Sequence, residues 1–315
     1  MIPEQQVLQK IKALCAKPGY IHALAAVVIE SVTFLYDSHV GFRGSDIADA
    51  SERDWLNKNE INVLVGYWVQ TDRDRTPLNQ ETISDYAGQT KKLMAQLHDC
   101  MKDAIMQRFD LKKIQNENFN PLMTDEAIRE AVFYSAESAY TSQYRDFSAK
   151  RYSRDAAWMQ AQFGFDIYEA VELFRLIQSL RTGLISAFLN VKRMESNSEL
   201  SPLTGLLLPL DLIIENSSFD GEKVNKIIDK FTLRFSEKNT EFRSLSDTNL
   251  AAVFPFFELG NGALVCFQEV SLFEALYDNP MYWIGQDDKY KGEGLNNRGG
   301  LLRRYIAPFF RAVIQ

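Results

Sequence analysis

Residues 80–109 constrain the fold most, because their apolar side chains recur at steps of three and four along the whole segment. This spacing places them on one face of a long amphipathic helix. Such a helix hides its apolar face only by packing against other elements, so the chain is expected to build a helical core. The residues on this face are Ile83, Tyr86, Thr90, Leu93, Leu97, Met101 and Ile105.

Other stretches are predicted to supply the packing partners. Residues 20–37 follow the Pro18-Gly19 break and are apolar nearly all round, which predicts a buried helix. Apolar spacing and cap residues predict four more helices. The first has Ile61, Leu64, Val65 and Trp68 on one face, the second is capped by Thr124, and the third is ended by Gly164. The fourth opens with Asp166 and Glu169 as a capping box. Its apolar face carries Leu173, Ile177, Leu180, Leu184 and Phe188.

The stretch "VFPFFELGNGALVCF" differs from the rest, because two short apolar runs flank Gly260-Asn261-Gly262. Asn and Gly tolerate the positive φ of tight turns, so this stretch predicts a β-hairpin. Pro255 would place its first strand on a sheet edge. The predicted fold is mainly α, a multi-helix bundle with one small β-hairpin near residues 253–268. The predicted regions are an N-terminal helical subdomain over 1–115, a helical bundle over 116–200, and a mixed segment over 201–315.

Composition bounds the class of protein. The 315 residues carry a net charge of -7, which disfavours a chain that coats nucleic acid through bulk charge, although it leaves room for a local basic face. Cys15, Cys100 and Cys266 lie far apart and suit a reducing compartment. No apolar run has the length of a membrane span, and no signal-peptide core opens the chain. A cytoplasmic protein that does not enter membranes is expected.

The sequence lacks the common catalytic motifs, namely GxxxxGK[ST], GxSxG, HExxH and CxxC. Of the histidines, His22 and His98 are expected to have their hydrogen bonds satisfied at helix interfaces. His39 is expected to be oriented by Asp37, either as a general base or simply as part of a turn. In "TDRDR" two aspartates stand two apart and are spaced to bind a divalent cation, but the interleaved arginines favour a solvated loop. No catalytic residue, metal site or cofactor is predicted.

Residues 140–158 interleave aromatic and basic side chains. Stacking rings beside cations are what a single-strand binding face uses. An ordinary helix corner, with aromatic residues inward and arginines outward, is the alternative. The candidate binding residues here are Tyr144, Arg145, Lys150, Arg151 and Arg154.

The C-terminal stretch from residue 277 adds further candidates. "DNP" at 278–280 predicts a turn, Tyr282 and Trp283 predict a buried anchor or an exposed stacking pair, and "KGEGLNNRGG" predicts a flexible connector. A basic apolar helix follows from residue 301, and it is expected to need a partner. The candidate binding residues of this stretch are Tyr282, Trp283, Arg298, Arg303 and Arg304.

The succession "KPGYIHALAAVVIES", "NKNEINVLVGYWV", "YAGQTKKLMAQLHDCM", "FFELGNGALVCF", "NPMYWIGQDD" and "NNRGGLLRRYIAPFF" resembles a loosely defined group of bacterial proteins. In that group a helical N-terminal region precedes a nuclease-related domain of the PD-(D/E)XK type, and some members act in phage defence. Two departures matter. The chain lacks an Asp…(Glu/Asp)-x-Lys set beyond the spacing of Asp110 and Lys112, and it ends where the nuclease core would begin. The resemblance therefore implies a non-catalytic part.

The function predicted from the sequence is a non-catalytic helical interaction or regulatory module of a bacterial nuclease-like, defence-related protein. Its expected partner is another protein, a second copy of the chain, or nucleic acid. Two alternatives stay open: a metal-dependent hydrolase whose site gathers scattered acids and histidines, and a scaffolding subunit of a complex.

Overall fold

The structure is a computed structural model that describes residues 3–37, 55–108, 133, 140–194, 199–260 and 262–298. Helices dominate it, and one four-stranded sheet is present, so the predicted mainly α class is confirmed. Apart from Phe133 and Tyr140, the helix predicted after Thr124 lies outside the described residues. The basic helix predicted from residue 301 lies outside them as well.

The chain forms two compact units, each assembled from separate stretches. Unit 1 contains Met1–Ser138, Leu184–Leu207 and Phe235–Ala252. Unit 2 contains Ala139–Gly183, Leu208–Arg234 and Val253–Gln315. The predicted boundaries near residues 115 and 200 stay predictions, since residues 109–132 and 195–198 lie outside the described part of the chain.

The described part of unit 1 contains four helices before residue 109, and the last three of them follow the predicted periodicities, whereas the first was not predicted. They are α1 Glu4–Cys15, α2 Tyr20–Asp37, α3 Lys58–Trp68 and α4 Gln80–Arg108. In α2 the side chains from Tyr20 to Ile29 are buried almost without a break, as its all-round apolar sequence predicted. α1 buries one stripe, and α3 is covered on nearly every side. Two short 3₁₀ helices, Pro202–Gly205 and Leu250–Ala252, also lie among the described residues of unit 1.

The connection between α1 and α2 depends on Gly19, which has φ +67°, in the region that favours glycine. A Cβ at this position would lie 2.3 Å from the carbonyl oxygen of Thr76. We expect Gly19→Ala to lower the free energy of unfolding by about 2–3 kcal/mol, through strain and this clash. Chemical denaturation measures the change.

Gly88 is the matched control for this substitution, because it lies within α4 and a Cβ there would meet nothing within 4 Å. Gly88→Ala is expected to raise the free energy of unfolding by roughly 0.5–1 kcal/mol, since alanine favours the helical backbone. Equal effects of the two substitutions would contradict the role assigned to Gly19.

Unit 2 begins with two helices, α5 Thr141–Arg151 and α6 Ala156–Phe163. Gly164 ends α6 in the left-handed conformation, with φ 79°, as predicted. The helix α7, Ile167–Met194, begins in unit 2, and its residues from Leu184 onward belong to unit 1. It opens with the predicted capping box: Asp166 Oδ1 accepts from the Glu169 backbone N–H, and Glu169 accepts from that of Asp166. α8 Leu210–Asn216 and α9 Gly221–Lys230 follow.

The predicted hairpin is present within a larger sheet. Its strands are β3 Phe256–Glu258 and β4 Leu264–Val265, which pair antiparallel around glycines with φ 80° and 76°. With β1 Leu207–Leu208 and β2 Thr232–Leu233 they form the order β1-β4-β3-β2. β3 is therefore an inner strand, and the predicted edge position was wrong. Pro255 lies before the first paired residue, so its missing N–H removes no ladder hydrogen bond.

The segment after the sheet corrects two predictions. α10, Glu269–Gln286, runs through residues 278–280, so the predicted turn is helix with Pro280 inside it. Asn279 is buried there, and its side-chain amide donates to the carbonyl of Val253 at 3.0 Å. Residues 291–298 are helical as well, and Gly294 packs directly against Ile284, so this stretch is not a flexible connector.

Candidate functional site

The helix α5 has a buried side, as in an ordinary helix corner, and an exposed side that carries aromatic rings, as in a single-strand binding face. Tyr144, Ser148 and Tyr152 recur at four-residue steps and are buried. Tyr140 and Phe147, seven residues apart, are 77% and 50% exposed. Two turns of helix separate these rings, so they stand on the same side of α5. The helix-corner alternative, with aromatic residues inward, is correct for Tyr144 and Tyr152, whereas the outer side retains Tyr140 and Phe147.

Cations accompany the exposed rings. Lys150 is exposed, with its Nζ 5.7 Å from the centroid of the Phe147 ring, and Arg154 is exposed in the turn after α5. We call the surface of Tyr140, Phe147, Lys150 and Arg154 the α5 face. It is the part of the predicted aromatic and basic segment that is presented to solvent.

Asp146 is the acid beside the α5 face, and two arginines balance its charge. Arg145 Nε lies 2.7 Å from its carboxylate, and Arg175 of α7 lies 3.6 Å from it. The hydrogen bond from Arg145 lowers the pKa of Asp146, so the acid is ionised and paired at neutral pH. Arg145 is thus partly committed to an ion pair, whereas Lys150 and Arg154 remain at the surface.

Arg151 and Tyr152 turn instead toward α10. The guanidinium of Arg151 lies 4.1 Å from the centroid of the Tyr277 ring and donates to the Tyr277 carbonyl at 3.3 Å. The hydroxyl of Tyr152 donates to the same carbonyl at 2.5 Å. Pro280 cannot donate to the preceding turn of α10, which weakens the local hydrogen-bond ladder. The two side chains therefore supply donors where the proline disturbs the helix.

Arg298 faces inward and completes a buried cluster around Asp155. The Asp155 carboxylate is fully buried and pairs with the Arg298 guanidinium. It also accepts from the Tyr290 hydroxyl at 2.8 Å and from the Asn297 amide at 2.9 Å. We call these four residues the Asp155 cluster. The sequence gives no sign of a role for Asp155, Tyr290 or Asn297, because no motif links Asp155 to residues 135 and 142 positions later.

Trp158 connects the Asp155 cluster to the end of α10. Its ring stacks on Tyr290, with centroids 4.8 Å apart and an interplanar angle of 6°. Its Nε1 donates to Asp287 at 2.8 Å, and this bond lowers the pKa of Asp287. Burial raises the pKa of Tyr290, and the hydrogen bond to Asp155 adds to that rise. The aspartates here are acceptors in fixed hydrogen bonds, which is a structural arrangement.

Tyr282 and Trp283 point in different directions, as neighbours on a helix do. Tyr282 is 67% exposed. Trp283 is half-buried and lies edge-on to Phe163 at 5.2 Å and to Phe231 at 5.1 Å. The two rings are thus one exposed side chain and one anchor. Arg303 and Arg304 lie outside the described residues.

Two of the candidate general bases and two of the thiols are buried in the described part of the chain. His22 and His98 are buried; His22 Nδ1 lies 2.5 Å from Ser201 Oγ, and its Nε2 lies 3.3 Å from the Arg75 carbonyl. Burial raises the pKa of Cys15 to about 12 and that of Cys266 to about 11. Both thiols therefore stay protonated at neutral pH. His39 lies outside the described residues.

The "TDRDR" loop borders a cleft of about 540 Å³ in unit 1, which includes Lys12, Asp72 and Lys238 in its lining. Asp72 pairs with Lys238 at 2.6 Å. Arg73 is buried with φ 47° and donates to the Glu237 carbonyl, so its side chain is part of the packed structure of unit 1. Across the described ranges, no cluster of three or more His, Cys, Asp or Glu side chains is placed to hold a metal ion.

Comparisons of the chain with protein-family models, with curated proteins and with solved structures found no match. The resemblance to nuclease-related bacterial proteins accordingly stays a prediction.

No single helix in the described part of the chain combines the length and the hydropathy of a membrane span. The helices Glu4–Cys15 and Tyr20–Val32 reach that length and hydropathy only when they are taken together, and they meet at an angle of 111°.

Proposed function

We propose that this protein is a non-catalytic helical binding module whose α5 face holds single-stranded nucleic acid. The observation that carries the proposal is the exposure of Tyr140 and Phe147 beside Lys150 and Arg154. Exposed rings stack on bases of any sequence, and cations beside them pair with the phosphates.

Local charge supports this ligand. Residues 140–154 contain four basic residues and one acid, a balance of +3, in a chain whose net charge is -7. The acid is Asp146, which is already paired. A ligand of negative charge is thus favoured at this helix and disfavoured by the chain as a whole, so binding is expected to concentrate at the α5 face.

The wider setting is part of the same proposal. A strand-binding module beside a nuclease-related partner agrees with the resemblance noted in the sequence, and the role in defence follows from that resemblance. We place the protein in the cytoplasm, which the free state of its three cysteines supports.

A protein partner, including a second copy of the chain, is the second candidate. It is favoured by Tyr282 and Leu295 of unit 2, which are 67% and 48% exposed. Large exposed apolar side chains are enriched at protein interfaces.

Replacement of Phe147 by alanine is expected to weaken the binding of a fluorescently labelled single-stranded oligonucleotide. One stacked base contributes roughly 1–3 kcal/mol, so we expect a loss of about five-fold or more in affinity, measured by fluorescence anisotropy. The half-exposed ring contributes little to the core, so the melting temperature is expected to stay unchanged. Lys150→Ala is expected to reduce the salt dependence of binding.

Tyr168→Ala is the matched control, because Tyr168 of unit 2 is also 50% exposed but lies on α7. The affinity of this variant for the oligonucleotide is expected to equal that of the unchanged protein. No binding of either DNA or RNA strands at low salt would rule out the proposed ligand. Concentration-dependent dimerisation by light scattering, reduced by Tyr282→Ala, would then favour the protein partner.

A further inference from the structure

Lys230 ends the helix α9 in an unusual setting between two aromatic rings. Its Nζ lies 4.3 Å from the centroid of Phe163 and 4.8 Å from that of Trp283. All three side chains are half-buried, so the amine is enclosed on two sides and still reaches solvent. We call this arrangement the Lys230 recess.

The other lysines of α9 are neutralised, and Lys230 is not. Lys223 pairs with Glu169, and Lys226 pairs with Glu222 at 2.6 Å. Asp229, the neighbour of Lys230, pairs with Arg234 at 2.7 Å. Within the described residues, no carboxylate lies within ion-pair distance of Lys230.

This environment changes the chemistry of the amine. Burial without an acid partner disfavours the ammonium form and lowers the pKa of Lys230. The two rings attract the cation and limit that effect. A larger share of neutral amine at neutral pH is the condition under which lysine acts as a nucleophile.

Other aromatic side chains pack against the two rings and hold them in place. Trp283 contacts Phe231 edge-on at 5.1 Å, and Phe163 contacts Trp158 edge-on at 5.4 Å. Phe231 is fully buried. The recess is therefore a supported surface, with flat apolar walls against which a planar group can lie.

We propose that Lys230 is a nucleophilic lysine that forms an imine with an aldehyde whose aromatic group lies against Phe163 and Trp283. The nitrogen lone pair forms a bond to the carbonyl carbon. The nitrogen gives up both of its protons, the carbonyl oxygen takes up two by exchange with solvent, and this oxygen leaves as water as the C=N bond forms. The exchange needs no oxidant or reductant, and water reverses it. This inference is independent of the proposed nucleic-acid face.

The test uses the intact protein and benzaldehyde, with cyanoborohydride to reduce any imine to a stable secondary amine. Peptide mass spectrometry then measures the modified fraction of each lysine. Lys223 and Lys226 are internal controls, since they lie on the same helix and are ion-paired. Lys230 is expected to be modified roughly five-fold faster than either, because its amine is not ion-paired to any described residue and an aromatic contact with the two rings favours the aldehyde at this position.

Two variants separate the role of the amine from that of the rings. Lys230→Arg keeps the charge and is expected to abolish the adduct on this peptide while the melting temperature is unchanged. Trp283→Leu is expected to reduce the preference for benzaldehyde over acetaldehyde; Phe163→Leu provides the same measurement if Trp283→Leu unfolds the protein. Equal modification of Lys230 and Lys226 would overturn the proposal, as would an unchanged aldehyde preference in a folded ring variant.

Discussion

Replacing Asp155 by alanine is expected to lower the free energy of unfolding by about 3–5 kcal/mol, because it leaves the buried guanidinium of Arg298 without its partner. The Tyr290 hydroxyl and the Asn297 amide lose their acceptor in the same step. Both donors are half-buried, so each adds only part of the desolvation penalty of an unpaired polar group. Equilibrium unfolding in urea, followed by circular dichroism, measures the loss.

Asp146→Ala is the matched control, since Asp146 also pairs with arginines but its side chain is half exposed to solvent. We expect it to change the free energy of unfolding by less than about 1 kcal/mol. The double variant Asp155→Ala with Arg298→Met is expected to recover part of the loss, because it removes the unpaired charge. A cost for Asp155→Ala no larger than that for Asp146→Ala would show that the Asp155 cluster does not stabilise the fold.

Arg181→Met is expected to cost about 3 kcal/mol. Arg181 is buried on α7, and its guanidinium donates to the carbonyls of Cys266 at 3.1 Å and Phe267 at 2.7 Å. Methionine keeps much of the apolar stem and leaves both carbonyls without these donors, which carries a penalty of roughly 1–3 kcal/mol for each buried group. The melting temperature and the urea midpoint are expected to fall together.

Arg175→Met, on the same helix and exposed, provides the comparison for Arg181, with an expected change within about 0.5 kcal/mol. The loss of unfolding free energy for Arg181→Lys is expected to lie between those of Arg181→Met and Arg175→Met, because an ammonium cannot reproduce the forked geometry of the guanidinium. Equal stability of the Arg181 and Arg175 variants would refute the anchoring role.

Local periodicity predicted α2, α3 and α4 of unit 1 well, because their apolar faces are satisfied by ordinary helix packing. At α7 it was right for Leu173, Ile177 and Phe188, which are buried. Leu180 and Leu184 of the predicted face are only half-buried, whereas Arg181 and Ile185 beside them are buried. An arginine at a helical position is expected at the solvent edge. Only the distant carbonyls of residues 266 and 267 make its burial favourable, and no local pattern records them.

The candidate site was predicted in part. The four-residue steps of Tyr144, Ser148 and Tyr152 already separate the buried side of α5 from the exposed side, so a period count finds the α5 face. Arg298 was missed as a partner of Asp155 because 143 positions separate them. The turn predicted at Pro280 failed for a similar reason, since donors from α5 reach the Tyr277 carbonyl beside that proline.

The discontinuity of the two units bears on how the protein is made. The α3 region of unit 1 bonds to late residues: Tyr67 donates to the Arg243 carbonyl, and Asn239 donates to that of Gly66. A ribosome adding roughly 5–20 residues per second needs on the order of ten seconds or more to produce those partners. During that interval the apolar surface of α3 is uncovered on the side that the late residues will occupy. Nascent-chain protection, by early helix pairing or by a chaperone, is thus a requirement that this topology places on its host.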